Sequence, residues 1–131
     1  MKRVLFLGKD PIWMIPSVAE RLRNDGMKVI TENQFIQSKP NLVRLLPKVH
    51  PILLSEELAT EEFDLVIIED DDRNLRDFVP KKLRLKSIIF QKGNPSLETQ
   101  IQYQQRFLYS HVLSRRNVIR HLEQHGAVLP Q

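Results

Sequence analysis

The sequence of 131 residues contains no cysteine, only four glycines and no long apolar run. Without cysteine the chain forms no disulfide and no cysteine-ligated metal site, and nothing indicates an oxidising compartment. The hydrophobic residues, 41% of the total, and the charged residues, 27%, are present in ordinary proportions for a globular protein. The length predicts one domain, residues 1–131, that is large enough to bury a core.

The apolar runs are too short for a membrane span. None approaches the roughly 18 residues that a membrane-spanning helix requires. Only five apolar or small residues separate Arg3 from Lys9, which is too short for the apolar region of a signal peptide. We therefore expect a cytoplasmic protein that does not associate with a membrane.

The glycines and histidines form no cofactor or metal motif. The glycines build neither a G-x-G-x-x-G sequence nor a P-loop. His121 and His125 lie four residues apart, a spacing that can ligate Zn²⁺, but no H-E-x-x-H motif accompanies them. No serine, histidine and acid occur in a recognisable nucleophile motif. The sequence predicts no cofactor, no metal ion and no catalytic residue.

The net charge of +4 is unevenly distributed along the chain. Residues 69–72 are all acidic, whereas residues 73–92 contain seven basic residues and one acid, Asp77. Such runs usually form a solvated face, which is the interpretation that we favour. The alternative is a basic surface that contacts nucleic acid or an acidic partner.

The hydrophobic pattern predicts alternating strands and helices. The predicted strands at residues 4–8, 64–68 and 86–90 each contain consecutive apolar residues, which is typical of strands buried on both faces of a parallel sheet. The strand at residues 4–8 is followed by a helix that begins near Pro16 and ends before Gly26, and then by a strand at residues 27–31. These three elements form a βαβ unit. We also expect a short strand at residues 52–54. The predicted fold is a three-layer α/β sandwich with a mostly parallel sheet, receiver/flavodoxin-like or Rossmann-like.

Residues 96–126 form a long helical pattern. Its apolar residues recur near one face, and Gly126 would end the helix. About 30 helical residues would extend roughly 45 Å, longer than the sheet on which they pack. Either the helix breaks near residues 110–114, or its far end contacts a second subunit and the protein is a homodimer.

Charged residues follow two of the predicted strands. Lys9 and Asp10 come after the first strand, and the acidic run at residues 69–72 comes after the central one. In open α/β sheets, binding sites form at the carboxyl ends of strands. Carboxylates there could hold Mg²⁺ for a nucleotide- or metal-dependent enzyme. Alternatively they only solubilise a loop and cap a helix.

At these strand ends the chain resembles response-regulator receiver domains. The segments L-F-L-G-K-D-P at residues 5–11 and F-D-L-V-I-I-E at residues 63–69 are similar to the first and the phosphorylated strands of that family. The family's acidic pair would fall on Gly8 and Lys9, and its phospho-acceptor on Glu69. The family's serine or threonine is not evident near Lys92.

The resemblance therefore implies a receiver-like domain without phosphotransfer. Glu69 would be a fixed negative charge, and Lys9 could pair with it directly. We predict a non-catalytic regulatory domain, similar to a pseudo-receiver, that recognises a protein partner. The predicted site comprises Lys9, Asp10, Glu69, Asp70, Asp71, Asp72 and Lys92.

A second resemblance is to the Rossmann-type domain of formyltransferases. That family also begins with a strand ending in F-L-G, and F-V-P-K-K-L at residues 78–83 is similar to its approach to the catalytic strand. The family's catalytic asparagine and histidine would fall on Phe90 and Lys92. The resemblance thus supports the fold and excludes that reaction.

The last helical segment offers an alternative function. Residues 113–123 resemble the recognition half of a helix-turn-helix, with Ser114 as the N-cap and Val118 and Leu122 facing inward. The structural interpretation is one amphipathic helix with an exposed basic face, which we favour. The nucleic-acid interpretation assigns DNA or RNA contacts to Arg115, Arg116, Asn117 and Arg120.

Overall fold

The computed structural model describes residues 2–131, in which five strands form a single sheet. The strands are β1 (Lys2–Leu7), β2 (Met27–Thr31), β3 (Leu65–Glu69), β4 (Ser87–Gln91) and β5 (Val112–Ser114). Every pair is parallel and the order is β2-β1-β3-β4-β5, which is the flavodoxin-like order. The predicted fold class is confirmed.

Helices cover both faces of this sheet. They are α1 (Pro16–Asn24), α2 (Glu32–Gln37), α3 (Pro40–Val43), α4 (Pro51–Leu58), α5 (Lys81–Arg84), α6 (Leu97–Gln105) and α7 (Arg115–His125). Short 3₁₀ turns occupy Ile12–Met14 and Leu75–Asp77. Within residues 2–131, no helix is both long and apolar enough to span a membrane.

Two apolar layers lie on opposite faces of the sheet. On one face, Leu5, Val66 and Ile89 pack against α2, α4 and Tyr109. On the other, Val4, Ile67 and Ile88 pack against residues of α1 and α7. The central strands are buried on both faces, which explains their continuous apolar sequences.

Residues 52–54 belong to α4 and not to the short strand that we expected. Pro51 at the first helical position favours a helix start, and the side chain of His50 accepts a hydrogen bond from the backbone N–H of Ile52. Only Leu54 of the three apolar residues is buried. A run of three apolar residues does not by itself distinguish a helix from a strand.

Residues 96–126 do not form one long helix, so that expectation is corrected. The helix ends at Gln105, and Leu108 adopts a left-handed φ of 61°. The chain then forms β5, where Val112 pairs with Ile89 of β4, before α7 begins. The break near residues 110–114 is the alternative observed, so the length of the helix gives no reason to expect a second subunit.

Candidate functional site

Glu69, at the end of β3, is held by the backbone of the turn that follows β1. The backbone N–H groups of Lys9 and Asp10 both donate to Glu69 Oε2, at 2.7 and 2.9 Å. Gly8 has a φ of 142°, and a Cβ on it would lie 2.5 Å from the Cβ of Glu69. The expected side-chain pair between Lys9 and Glu69 is therefore not formed. Because β1 and β3 are neighbours, the backbone of the turn after β1 lies next to the carboxylate of Glu69 and donates to it in place of the Lys9 side chain.

Asp70 accepts hydrogen bonds from three different elements. Its Oδ1 accepts from Arg76 Nη1 at 2.7 Å, and its Oδ2 accepts from Gln91 Nε2 at 3.1 Å and from the hydroxyl of Tyr103. Burial and the bond to Asp70 both raise the pKa of Tyr103. Burial lowers the pKa of Arg76, but the charges of Asp70, Tyr103 and Asp77 and the hydrogen bond to Asp70 together outweigh burial and raise that pKa.

Asp71 is joined to the start of α2 through Arg73. The guanidinium donates from Nε to Asp71 Oδ2 at 2.9 Å and from Nη1 to Glu32 Oε2 at 2.7 Å. Although burial would lower the pKa of Arg73, the hydrogen bonds to the two carboxylates raise it. Arg73 thus carries a fixed charge between β3 and α2.

Asp10 is joined to the start of α7. Arg115 Nε donates to Asp10 Oδ2, and this bond raises the pKa of Arg115. Ser114 caps the same helix, because its Oγ accepts from the backbone N–H of Asn117 at 3.1 Å. The predicted cap is confirmed, and Arg115 is a structural partner of Asp10 as well as part of a basic face.

The strand-end residues predicted from the sequence do meet at one edge of the sheet. We call this set the carboxyl-edge surface. Its acids are largely fixed by internal donors, while Lys9, Asp72 and Lys92 are exposed. Within residues 2–131 no group of three or more histidines and acids is arranged to hold a metal ion. The members of the surface are Lys9, Asp10, Glu69, Asp70, Asp71, Asp72 and Lys92.

A cavity of about 880 Å³ opens beside this surface. It lies near the carboxyl ends of β1, β2 and β3, because Lys9, Glu32 and Arg73 follow those strands, and ligands bind at the carboxyl ends of strands in open α/β sheets. Its lining includes Lys9 and Arg73, which follow β1 and β3, together with residues 46–51. Sequence reasoning missed the cavity, because residues 32–49 carry no clear pattern.

The basic residues of α7 do not belong to a helix-turn-helix. The element before α7 is β5, a strand of the sheet, so the first helix of that motif is missing. Val118 and Leu122 are fully buried against the sheet and α1, as predicted. A shallow groove of about 350 Å³ runs along the exposed face. It is lined by Arg115, Arg116, Ile119, Arg120, Glu123 and Gln124.

Phe90 and Lys92, the positions where the catalytic asparagine and histidine of formyltransferases would fall, differ in their exposure to solvent. Phe90 is a core residue of β4, whereas Lys92 is exposed beyond the end of that strand.

His121 and His125 have ring centroids 5.2 Å apart, and His121 Nε2 lies 2.6 Å from the carbonyl oxygen of Val128.

Comparisons with known proteins identify no relative of this chain. No protein-family model, no curated protein and no solved structure matches the chain.

Proposed function

We propose that this chain is a non-catalytic regulatory domain that recognises a protein partner through the carboxyl-edge surface. The observation that carries the proposal is how the strand-end carboxylates are held. Glu69 accepts from two backbone N–H groups, and Asp70 accepts from Arg76, Gln91 and Tyr103. These internal bonds hold the charges of Glu69 and Asp70 in fixed positions at the edge of the sheet.

A surface of this kind suits protein recognition for a physical reason. Binding is weakened by the entropy lost when flexible side chains become ordered, and ion pairs with Arg73 and Arg76 have already ordered Asp71 and Asp70. The exposed charges of opposite sign, Asp72 and Lys92, favour a partner with a complementary pattern.

The fold is compatible with the same proposal. The flavodoxin-like order is shared with receiver domains, which the chain resembles at β1 and β3. The position of the phospho-acceptor is occupied by Glu69, whose oxygen is bonded to the turn after β1. With a fixed negative charge at Glu69, the domain would signal by binding a partner and not by accepting a phosphoryl group.

Quantitative capture from an extract of the source cells tests the proposal. The immobilised chain should retain a protein that the variant Asp72→Lys with Lys92→Glu no longer retains. The matched control is Glu20→Lys with Lys28→Glu, which makes the same charge changes at exposed residues of α1 and β2. Equal retention by both variants would place the partner elsewhere and contradict the proposal.

Nucleic-acid binding is the second candidate, and the exposed face of α7 favours it. Arg116, Asn117 and Arg120 are exposed on one helix of the structure. Phosphate contacts by such residues release counterions, so binding should weaken steeply as salt is added. Fluorescence anisotropy with a labelled mixed-sequence duplex at low salt measures this. Salt-sensitive binding that is lost in Arg116→Gln with Arg120→Gln would favour this candidate over the first.

A further inference from the structure

The cavity beside the carboxyl-edge surface is lined by both apolar and polar side chains. Apolar side chains form much of its wall, and Ile36, Leu54 and Leu75 also belong to the core or its edge. Further apolar surface comes from Leu46 and Phe78. A volume of about 880 Å³ falls within the range of about 300–1,000 Å³ that is usual for sites of small organic ligands.

The polar groups of the lining differ in how far they are already engaged. Arg73 and Glu32 are bonded to each other, and Arg73 also to Asp71. By contrast, Lys9 and Lys48 are exposed, and neither ammonium group forms an ion pair within residues 2–131. The groups still available for a ligand therefore include two cations.

His50 adds a third donor. Its Nδ1 accepts from the backbone N–H of Ile52 at 3.1 Å, so the neutral ring carries its proton on Nε2. The ring also packs edge-on against Phe78, with centroids 6.1 Å apart. The lining contains two carboxylates, and one of them, Glu32, is already bonded to Arg73, which leaves Asp77. Positively charged side chains therefore predominate among the charged groups that are free to bind a ligand.

We propose that this cavity binds a small organic anion, with an apolar or aromatic body against Leu46, Phe78 and their neighbours and an anionic group near Lys9 and Lys48. The apolar wall accounts for the body of the ligand and the unpaired ammonium groups for its charge. Binding here requires no second chain, although Lys9 also belongs to the carboxyl-edge surface.

Titration of the folded chain with anilinonaphthalene sulfonate tests the proposal, because this dye combines an aromatic body with one anionic group. Phenylnaphthylamine supplies a similar body without the charge, and inorganic phosphate supplies an anion without the body. We expect saturable binding of one dye molecule per chain. The neutral analogue should bind at least about tenfold more weakly, and millimolar phosphate should not displace the dye.

Variants locate the site. Lys9→Gln with Lys48→Gln should raise the dissociation constant of the dye about tenfold, whereas the charge-matched control Lys28→Gln with Lys81→Gln, at two exposed lysines outside the cavity, should leave it unchanged. Leu46→Glu, at the half-exposed cavity wall, should abolish binding, and Met14→Glu, at an exposed residue elsewhere, should not. Near-ultraviolet circular dichroism confirms that each variant retains its tertiary packing, since this dye also binds partly folded chains.

Three results would overturn the proposal. They are equal affinity for the neutral analogue, equal affinity in the Lys9 and Lys48 variant, and absence of saturable binding to the folded chain. Competition then identifies the anionic group. Displacement of the dye by naphthoate indicates a carboxylate ligand, and displacement by adenosine monophosphate indicates a phosphate ligand.

Discussion

Gly8 and Glu69 are packed so closely that no side chain fits on the glycine. A Cβ at Gly8 would lie 2.5 Å from Glu69 Cβ and 2.6 Å from its Oε2, and the φ of 142° disfavours any other residue. We therefore expect Gly8→Ala to lower the free energy of unfolding by at least about 2 kcal/mol in urea denaturation. Gly93→Ala is the control, since a Cβ there meets nothing within 4 Å, and it should have almost no effect. Equal effects of the two substitutions would contradict this account.

The ion pair between Asp10 and Arg115 joins the turn after β1 to α7. The side chain of Arg115 is 40% exposed and that of Asp10 is 16% exposed, so solvent screens part of the interaction. A double-mutant cycle with Asp10→Asn and Arg115→Gln should give a coupling free energy of about 0.5–1 kcal/mol. The same cycle with Arg116→Gln in place of Arg115→Gln should show none. Coupling to Arg116 of similar size would indicate a general charge effect.

Two buried tyrosines should respond oppositely to loss of the hydroxyl. Tyr103 donates to Asp70, so Tyr103→Phe should lower the free energy of unfolding by about 1.5–3 kcal/mol. The hydroxyl of Tyr109 is buried without a hydrogen-bond partner within residues 2–131. Tyr109→Phe should therefore be neutral or stabilising, because it removes an unsatisfied polar group. Thermal and urea denaturation of the two variants provide the comparison, and a greater loss at Tyr109 would refute the assignment.

Glu61 should make stability depend on acid pH. The hydrogen bond from Lys39 holds the pKa of Glu61 below 4.5, and Arg3 acts in the same direction, against burial. The unfolded chain thus binds the proton more readily, so the stabilisation is present above about pH 4.5 and is lost as the pH falls through the lowered value. Near neutral pH, Glu61→Gln should cost a few tenths to about 1 kcal/mol, and the cost should disappear in acid.

The neighbouring Glu62 is the control for this dependence. Its side chain is 77% exposed, although it lies 3.2 Å from Lys82. Because solvent screens its ion pair, Glu62→Gln should change the free energy of unfolding little near neutral pH. A pH-independent cost at Glu61 would show that its carboxylate is not differentially protonated between the folded and unfolded chains.

The central strands could be predicted because burial on both faces makes their sequences continuously apolar. All four residues of β3 from Leu65 to Ile68 are buried, and Ile88, Ile89 and Phe90 are buried in β4. The three-residue strand β5 could not be predicted, since its formation depends on pairing with β4. The start of α6 could be predicted from its helical pattern, but its end at Gln105 could not, and Leu97 and Ile101 of that pattern are exposed.

The candidate site was predictable in position but not in detail. The ends of parallel strands meet at one edge, which brings Glu69 and Asp70 beside Lys9 and Asp10. The partners that hold these acids come from distant positions, such as Tyr103 on α6, and no local pattern indicates them. The cavity is lined by Lys9 and by residues of the segments 32–54 and 73–78, so only the tertiary arrangement shows it.

Site-directed photo-crosslinking in the source cells tests the location of the proposed protein contact most directly. A photoreactive amino acid would be placed singly at Asp72, Lys92, Glu20 and Arg120, all of which are exposed. The account predicts protein adducts from positions 72 and 92 and none from position 20 or 120. Adducts confined to position 120, especially ones removed by nuclease, would contradict it and assign the function to the basic face of α7.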